Sequence, residues 1–125
     1  MSAVKGKDTT PELRVRKVLH AMGYRFRLHR TDLPGKPDIV MAKYRLCIFV
    51  HGCFWHQHPG CKRATFPQTN REFWIEKLDR NTTRDNLAIA NLKKLGWQVS
   101  VIWECQTQTP KELEKSLMTA LMSCK

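Results

Sequence analysis

Apolar residues recur in two rhythms along this chain, and the switches between them mark its elements. After Thr10-Pro11-Glu12, the residues Leu13, Val18, Leu19 and Met22 return at helical spacing. The hydroxyl of Thr10 is an N-cap candidate, proline suits the first helical position, and an acid faces the positive end of the helix dipole. Gly23 is the expected stop. From Tyr24 to Arg30 the period drops to two, with Tyr24, Phe26 and Leu28 inward and Arg25, Arg27 and His29 outward, the pattern of a half-exposed strand with a basic outer face. A turn rich in proline and glycine, Asp32 to Lys36, leads into two nearly continuous apolar runs, Asp38 to Ala42 and Arg45 to Val50. Both are expected in a sheet interior, joined as a hairpin about Lys43-Tyr44.

Farther along, Thr69-Asn70-Arg71-Glu72 has the form of a capping box for a helix reaching about Leu78. A second helical stretch runs from about Thr82 to Leu95 and is stopped by Gly96. Trp97 to Glu104 reads as a strand on which Trp97 and Trp103 share a face with Val99 and Val101, a core-packing pattern. Thr109-Pro110-Lys111-Glu112 caps a last helix with Leu113, Leu117 and Leu121 inward. The order α-β-β-β-α-α-β-α predicts an α/β fold, a mixed central sheet flanked by helices. No repeat or linker divides the chain, so residues 1–125 are expected to form a single domain.

Charge narrows the partners. The chain has 22 Lys+Arg against 11 Asp+Glu, a net charge of +11, and the basic residues are spread along it rather than gathered in a tail. A folded body of that sign favours a polyanion, and nucleic acid above others. The longest apolar run, Leu46 to Val50, falls far short of the ~20 residues of a membrane span. Met1 to Lys7 has no hydrophobic signal core, so no export is expected. Five cysteines, an odd number in the company of histidines, argue for metal over a disulfide framework and for a reducing cytoplasm. No heptad seam or apolar outer helix face calls for a partner, and a monomer is expected.

The candidate chemistry lies in His51-Gly52-Cys53-Phe54-Trp55-His56-Gln57-His58-Pro59-Gly60-Cys61, which holds more sulfur and nitrogen donors than one metal uses. If the strand ending at Glu104 lies beside the strand ending at Val50, Cys105 joins Cys53, His58 and Cys61 as a closed Cys₃His zinc set that pins the loop. The competing reading makes Cys105 an ordinary buried thiol, the reading given to Cys47 and Cys124. Asp38, at the head of its strand with the backbone of Val50 nearby, suits a hard cation such as Mg²⁺. His51 and His56 are the surplus imidazoles, and one of them can take a proton from water at neutral pH. With a basic body, this points to hydrolysis of a phosphodiester. Phe54, Trp55 and Trp74 are candidates to stack on or wedge between bases, with core packing as the alternative for the first two.

These residues also resemble a known family. Pro34-Gly35-Lys36-Pro37-Asp38-Ile39-Val40, Phe49-Val50-His51-Gly52-Cys53-Phe54-Trp55-His56, Arg71-Glu72-Phe73-Trp74-Ile75-Glu76-Lys77, Asn81-Thr82-Thr83-Arg84-Asp85 and Gly96-Trp97 with Val101-Ile102-Trp103-Glu104-Cys105 look like the very-short-patch-repair (Vsr) DNA mismatch endonucleases, over about Lys5 to Cys105 and in the family's order. The resemblance implies a restriction-endonuclease-like fold and a bacterial, nucleoid-associated enzyme. Such an enzyme depends on Mg²⁺, carries a structural zinc, and nicks one strand of double-stranded DNA 5′ to the T of a T:G mismatch left by deaminated 5-methylcytosine.

By position, it implies Asp38 as the Mg²⁺ carboxylate with the Val50 carbonyl as a backbone ligand. His56 becomes the water-activating histidine with Glu12 associated, and His51 a second catalytic histidine with Asp85 as its orienting acid. Cys53, His58, Cys61 and Cys105 fall on the zinc positions. Phe54, Trp55 and Trp74 fall on intercalating aromatics, and Lys77 and Asn81 on mismatch-contacting side chains. Val50 stands where a well-known member has threonine, a change that a carbonyl role survives. Met1 aligns inside a minor-groove wedge to which Val4 also belongs, and the arm before it is short, so a longer arm is expected to sharpen mismatch discrimination. The alternatives are an endonuclease of relaxed specificity and a non-catalytic zinc-stabilised DNA-binding module. Partners among repair proteins are not readable.

Overall fold

The computed structural model describes residues 9–28, 30–53, 56, 58, 61 and 68–122. The expectations placed on Met1, Val4, His29, Phe54, Trp55 and Cys124 lie outside the described residues. The elements are α1 (Thr10–Ala21), β1 (Arg27–Leu28), β2 (Ile39–Met41), β3 (Leu46–His51), α2 (Arg71–Lys94), β4 (Gln98–Trp103) and α3 (Pro110–Met122), with short 3-10 turns at Ala42–Tyr44 and Glu104–Thr107. They build a four-stranded mixed sheet in the order β1-β2-β3-β4. The β1–β2 and β2–β3 pairs are antiparallel, and β3–β4 is parallel from Leu46↔Gln98 to His51↔Trp103.

Alternation along the interior strands gives the sheet two apolar faces. Ile39, Met41, Leu46, Ile48 and Ile102 meet Val15 and Leu19 of α1 and Leu113, Leu117 and Leu121 of α3. On the other face Val40, Cys47 and Phe49 meet Leu92 of α2, with Ile89, Trp97, Val99 and Val101 packed around them. The expected α/β architecture, the interior hairpin and the inward leucines of α3 are all present. Thr109 caps α3 as read, its Oγ1 accepting from the Glu112 amide at 3.3 Å.

Four local expectations are corrected. Helix α1 starts one residue early, on an extended Thr9 with no side-chain cap, and Leu13 is 48% exposed while Val15 takes the buried position. The stripe is Glu12, Val15 and Leu19, and the charged Glu12 within it hid the period. Strand β1 has only two rungs at the sheet's edge, where Leu28 is exposed; Tyr24 and Phe26 do pack inward. The two helices expected between Arg71 and Leu95 are one continuous α2 of 24 residues. Its buried Leu78 and Leu92 are fourteen positions apart, about four turns, so one face stays turned inward across the polar middle. No residue in that middle breaks a helix, and Thr82 satisfies its hydroxyl on the Leu78 carbonyl at 3.0 Å. Finally, α2 has no capping box: Asn70 enters it in the left-handed region at φ 55°, without a side-chain cap.

The parallel β3–β4 pair matters most for function. It sends the C-terminal ends of two neighbouring strands to one edge of the sheet, the edge where open α/β sheets place their ligands.

Candidate functional site

Two groups of side chains sit together at that edge. The first is Cys53, His58, Cys61 and Cys105, whose ligand atoms all lie within 4.8 Å of one another. Three come from the segment that follows β3. Cys105 comes from the 3-10 turn that follows β4, so the parallel register joins them across half the chain. Tight backbone turns shape the segment: the His58 amide donates to the Cys53 carbonyl at 2.9 Å, and the Cys61 amide to the His58 carbonyl at 3.2 Å. The Cys53 amide donates to Glu104 Oε1 at 3.4 Å, tying the loop to the end of β4.

The donor set fits a metal that takes tetrahedral sulfur and nitrogen ligands. Cys53 Sγ and Cys105 Sγ lie 3.7 and 3.5 Å from His58 Nδ1, and the edge of a tetrahedron with the bond lengths usual for zinc is about 3.6 Å. Burial first, with the neighbouring Cys105 and Cys61 thiols adding to it, pushes the Cys53 thiol up to about 12. An ion bound there displaces that proton.

The second group is His51, His56 and Asp85. His51 ends β3 and is buried at 6% exposure; His56 belongs to the loop and Asp85 to α2. The two imidazoles are stacked, centroids 3.9 Å apart and planes within 8°. His56 Nδ1 is hydrogen-bonded to Asp85 Oδ2. The expectation paired Asp85 with His51; the structure brings all three together, and the acid's hydrogen bond goes to His56. Burial, then the charge of His56, pushes the pKa of His51 down to about 4 against a smaller opposing effect of Asp85. His51 is accordingly uncharged at neutral pH. The ligand atoms of this group also lie within 4.8 Å. The parallel rings direct their lone pairs along separate planes.

Asp38 stands immediately before β2 and accepts a hydrogen bond from the Val50 amide at 2.8 Å. The expected neighbourhood of Asp38 and Val50 is thus present, and the contact runs through the Val50 nitrogen. It ties the carboxylate to the residue before His51. Glu12 is buried on α1 and hydrogen-bonded to Arg16 one turn on.

On α2, Trp74 is half-buried and meets Phe73 edge-on at 5.5 Å. Lys77 Nζ stands 5.8 Å from both rings. Arg84 donates to Asn81 Oδ1 at 2.6 Å. Trp74, Lys77, Asn81 and Asp85 therefore follow one another along successive turns of one helix.

Three contributors escaped the sequence reading. Phe73 is 58% exposed beside Trp74, a large apolar ring with no core to explain it. Arg84 fixes the Asn81 amide. Trp103, expected in the core with Trp97, stacks on His58 at 4.2 Å instead and meets His51 edge-on at 5.3 Å. Its position two residues before Cys105 was the available signal. No helix among the described residues is long and apolar enough to cross a membrane.

Comparison with known proteins identifies the family. Residues 1–63 match the family model described as DNA mismatch endonuclease Vsr. The type II nicking enzyme V.XorIIP of Xanthomonas oryzae pv. oryzae is 47% identical over 121 residues, covering 97% of this chain and 88% of that one. The DNA mismatch endonuclease Vsr of Escherichia coli K12 is 41% identical over 119 residues, covering 95% of this chain and 76% of that one. Among solved structures, the catalytic domain of the homing endonuclease I-Bth0305I superposes with a TM-score of 0.63 over 93% of this chain and 97% of that one, at 17% identity, which establishes the nuclease fold. With likeness running along nearly its whole length, this chain belongs to the Vsr family of DNA endonucleases.

Proposed function

We propose that this protein nicks one strand of duplex DNA 5′ to the T of a T:G mismatch and so opens the repair of deaminated 5-methylcytosine. The observation that carries the reading is the junction, at one end of the β3–β4 pair, of Asp38 with a stacked imidazole pair backed by Asp85. Asp85 accepts from His56 Nδ1, which leaves the Nε2 lone pair as the site that takes a proton from an attacking water. His51 is uncharged beside it and supports that ring by stacking. Asp38, with the carbonyl of Val50, would hold Mg²⁺, which supplies charge neutralisation at the scissile phosphate. Cys53, His58, Cys61 and Cys105 would hold a structural Zn²⁺ that keeps the loop folded.

Recognition is assigned to α2 and the loop. Lys77 and Asn81 face the mismatched bases, and Trp74, with Phe54 and Trp55, stacks beside them. The net charge of +11 draws the body to the phosphate backbone, and the setting is the bacterial cytoplasm, where the enzyme acts as a monomer.

The test is a nicking assay on matched, T:G and other mismatched duplexes with Mg²⁺ or chelator. Nicking confined to T:G and dependent on Mg²⁺ is expected, and Asp38→Ala should abolish it while duplex binding persists. Equal cleavage of every duplex points to an endonuclease of relaxed specificity. No cleavage under any condition points to a zinc-stabilised DNA-binding module. Full activity of Asp38→Ala would remove the assigned role of that carboxylate.

A further inference from the structure

Trp103 occupies the last rung of the β3–β4 ladder, directly opposite His51. Its indole lies flat on the His58 ring, centroids 4.2 Å apart and planes within 10°. The same indole meets His51 edge-on at 5.3 Å and 75°. His51 in turn stacks on His56 at 3.9 Å, and His56 is hydrogen-bonded to Asp85. Four rings therefore run in unbroken contact from a member of the Cys/His cluster to the acid on α2.

The backbone that carries the indole is also tied down. The Trp103 amide donates to Gln106 Oε1 at 2.8 Å, and the next residue, Glu104, accepts from the Cys53 amide at 3.4 Å. Trp103 is only partly buried and belongs to neither of the two apolar cores, so core packing does not account for its size.

We infer that Trp103 is a positioning residue that transmits the order of the Cys53/His58/Cys61/Cys105 cluster to the imidazole pair, setting the tilt of His51 and through it that of His56. This rests on the reading of His51 and His56 as the groups that serve cleavage. A flat indole wedged between His58 and His51 leaves each ring one orientation, whereas a branched aliphatic side chain leaves them free to turn. Displacing a reacting group by about 1 Å costs on the order of 100-fold in rate. The arrangement makes the metal cluster part of the preorganisation of the site as well as of its folding.

The experiment compares the full-length, metal-loaded protein with Trp103→Leu, Trp103→Phe and His56→Ala. Four quantities are read: metal content, KM for a T:G duplex, kcat, and the proton resonance of the His56 Nδ1–H bonded to Asp85. Trp103→Leu is expected to keep its metal and its KM, to lose about 100-fold in kcat, and to shift or broaden the His56 resonance. Trp103→Phe keeps a flat ring and should recover most of both. Unchanged kcat or an unmoved His56 resonance in Trp103→Leu, with His56→Ala inactive, overturns the inference. So does loss of metal from Trp103→Leu, which makes the indole a support of the cluster alone. Normal cleavage by His56→Ala is a separate result that removes the catalytic reading first.

Discussion

On the proposed reading, the hydrogen bond between His56 Nδ1 and Asp85 Oδ2 leaves Nε2 as the imidazole nitrogen for proton transfer. Replacing Asp85 with asparagine keeps the shape but removes the fixed negative acceptor. Asp85→Asn should therefore lower kcat by about 100-fold or more, with KM and duplex affinity close to unchanged, because the ring loses its preferred tautomer. A single-turnover assay separates the two effects, and wild-type kcat in that variant would refute the orienting role. His51 and His56 were legible in the sequence because their loop holds more donors than one metal uses. Asp85 was not legible from its own surroundings. It lies 29 positions from His56 on a helix full of charges, and nothing local says which imidazole it serves. Trp103 was hidden differently: its alternation with Val99 and Val101 is a core pattern, and only its place at the strand's end turns it toward His58 and His51.

The elements place these residues through a few tight approaches. Gly35, in the turn before Asp38, has φ +74°, and a Cβ built there would lie 2.5 Å from Ala88 Cβ on α2 and 3.2 Å from the Phe49 ring. The turn can press against helix and sheet only because that atom is missing. Gly35→Ala should cost about 2–4 kcal/mol, combining left-handed strain with overpacking, measurable by denaturant unfolding. It should also weaken nicking by shifting Asp38. A change under about 0.5 kcal/mol would contradict the close-packing account. The turn itself was readable from its prolines and glycines, whereas its contact with α2 was not, since Gly35 and Ala88 are brought together by the fold. The continuity of α2 was misread for a related reason. Its polar middle has no apolar period of its own and is helical because both flanks are anchored, at Leu78 and at Leu92.

At the scale of the whole molecule, one edge of a four-stranded sheet brings together Asp38, the His51/His56/Asp85 group and the Cys53/His58/Cys61/Cys105 cluster. Chelating an ion held by the Cys53/His58/Cys61/Cys105 cluster should loosen that edge without dissolving the two cores. Cys53, Cys61 and Cys105 are then expected to react quickly with a thiol reagent in the folded protein. Cys47, fully buried and pushed up to about 11 by that burial, holds almost no thiolate at mild pH and should stay slow until global unfolding. Adding Zn²⁺ back should protect the three again, and equal thiol reactivity with and without chelator would contradict a metal-held loop. The sequence by itself determined the element types, the two-sided burial of the interior strands, the positive body and the chemical kinds of donor, because these depend on residue identity and on periods of two to four positions. The tertiary structure decided the pairings: Cys105 with Cys53, Asp85 with His56 and Trp103 with His58. The reason is physical. Parallel neighbours such as β3 and β4 are joined by a long crossover through α2, so their register is fixed by burial on both faces of the sheet rather than by any turn a local sequence could announce.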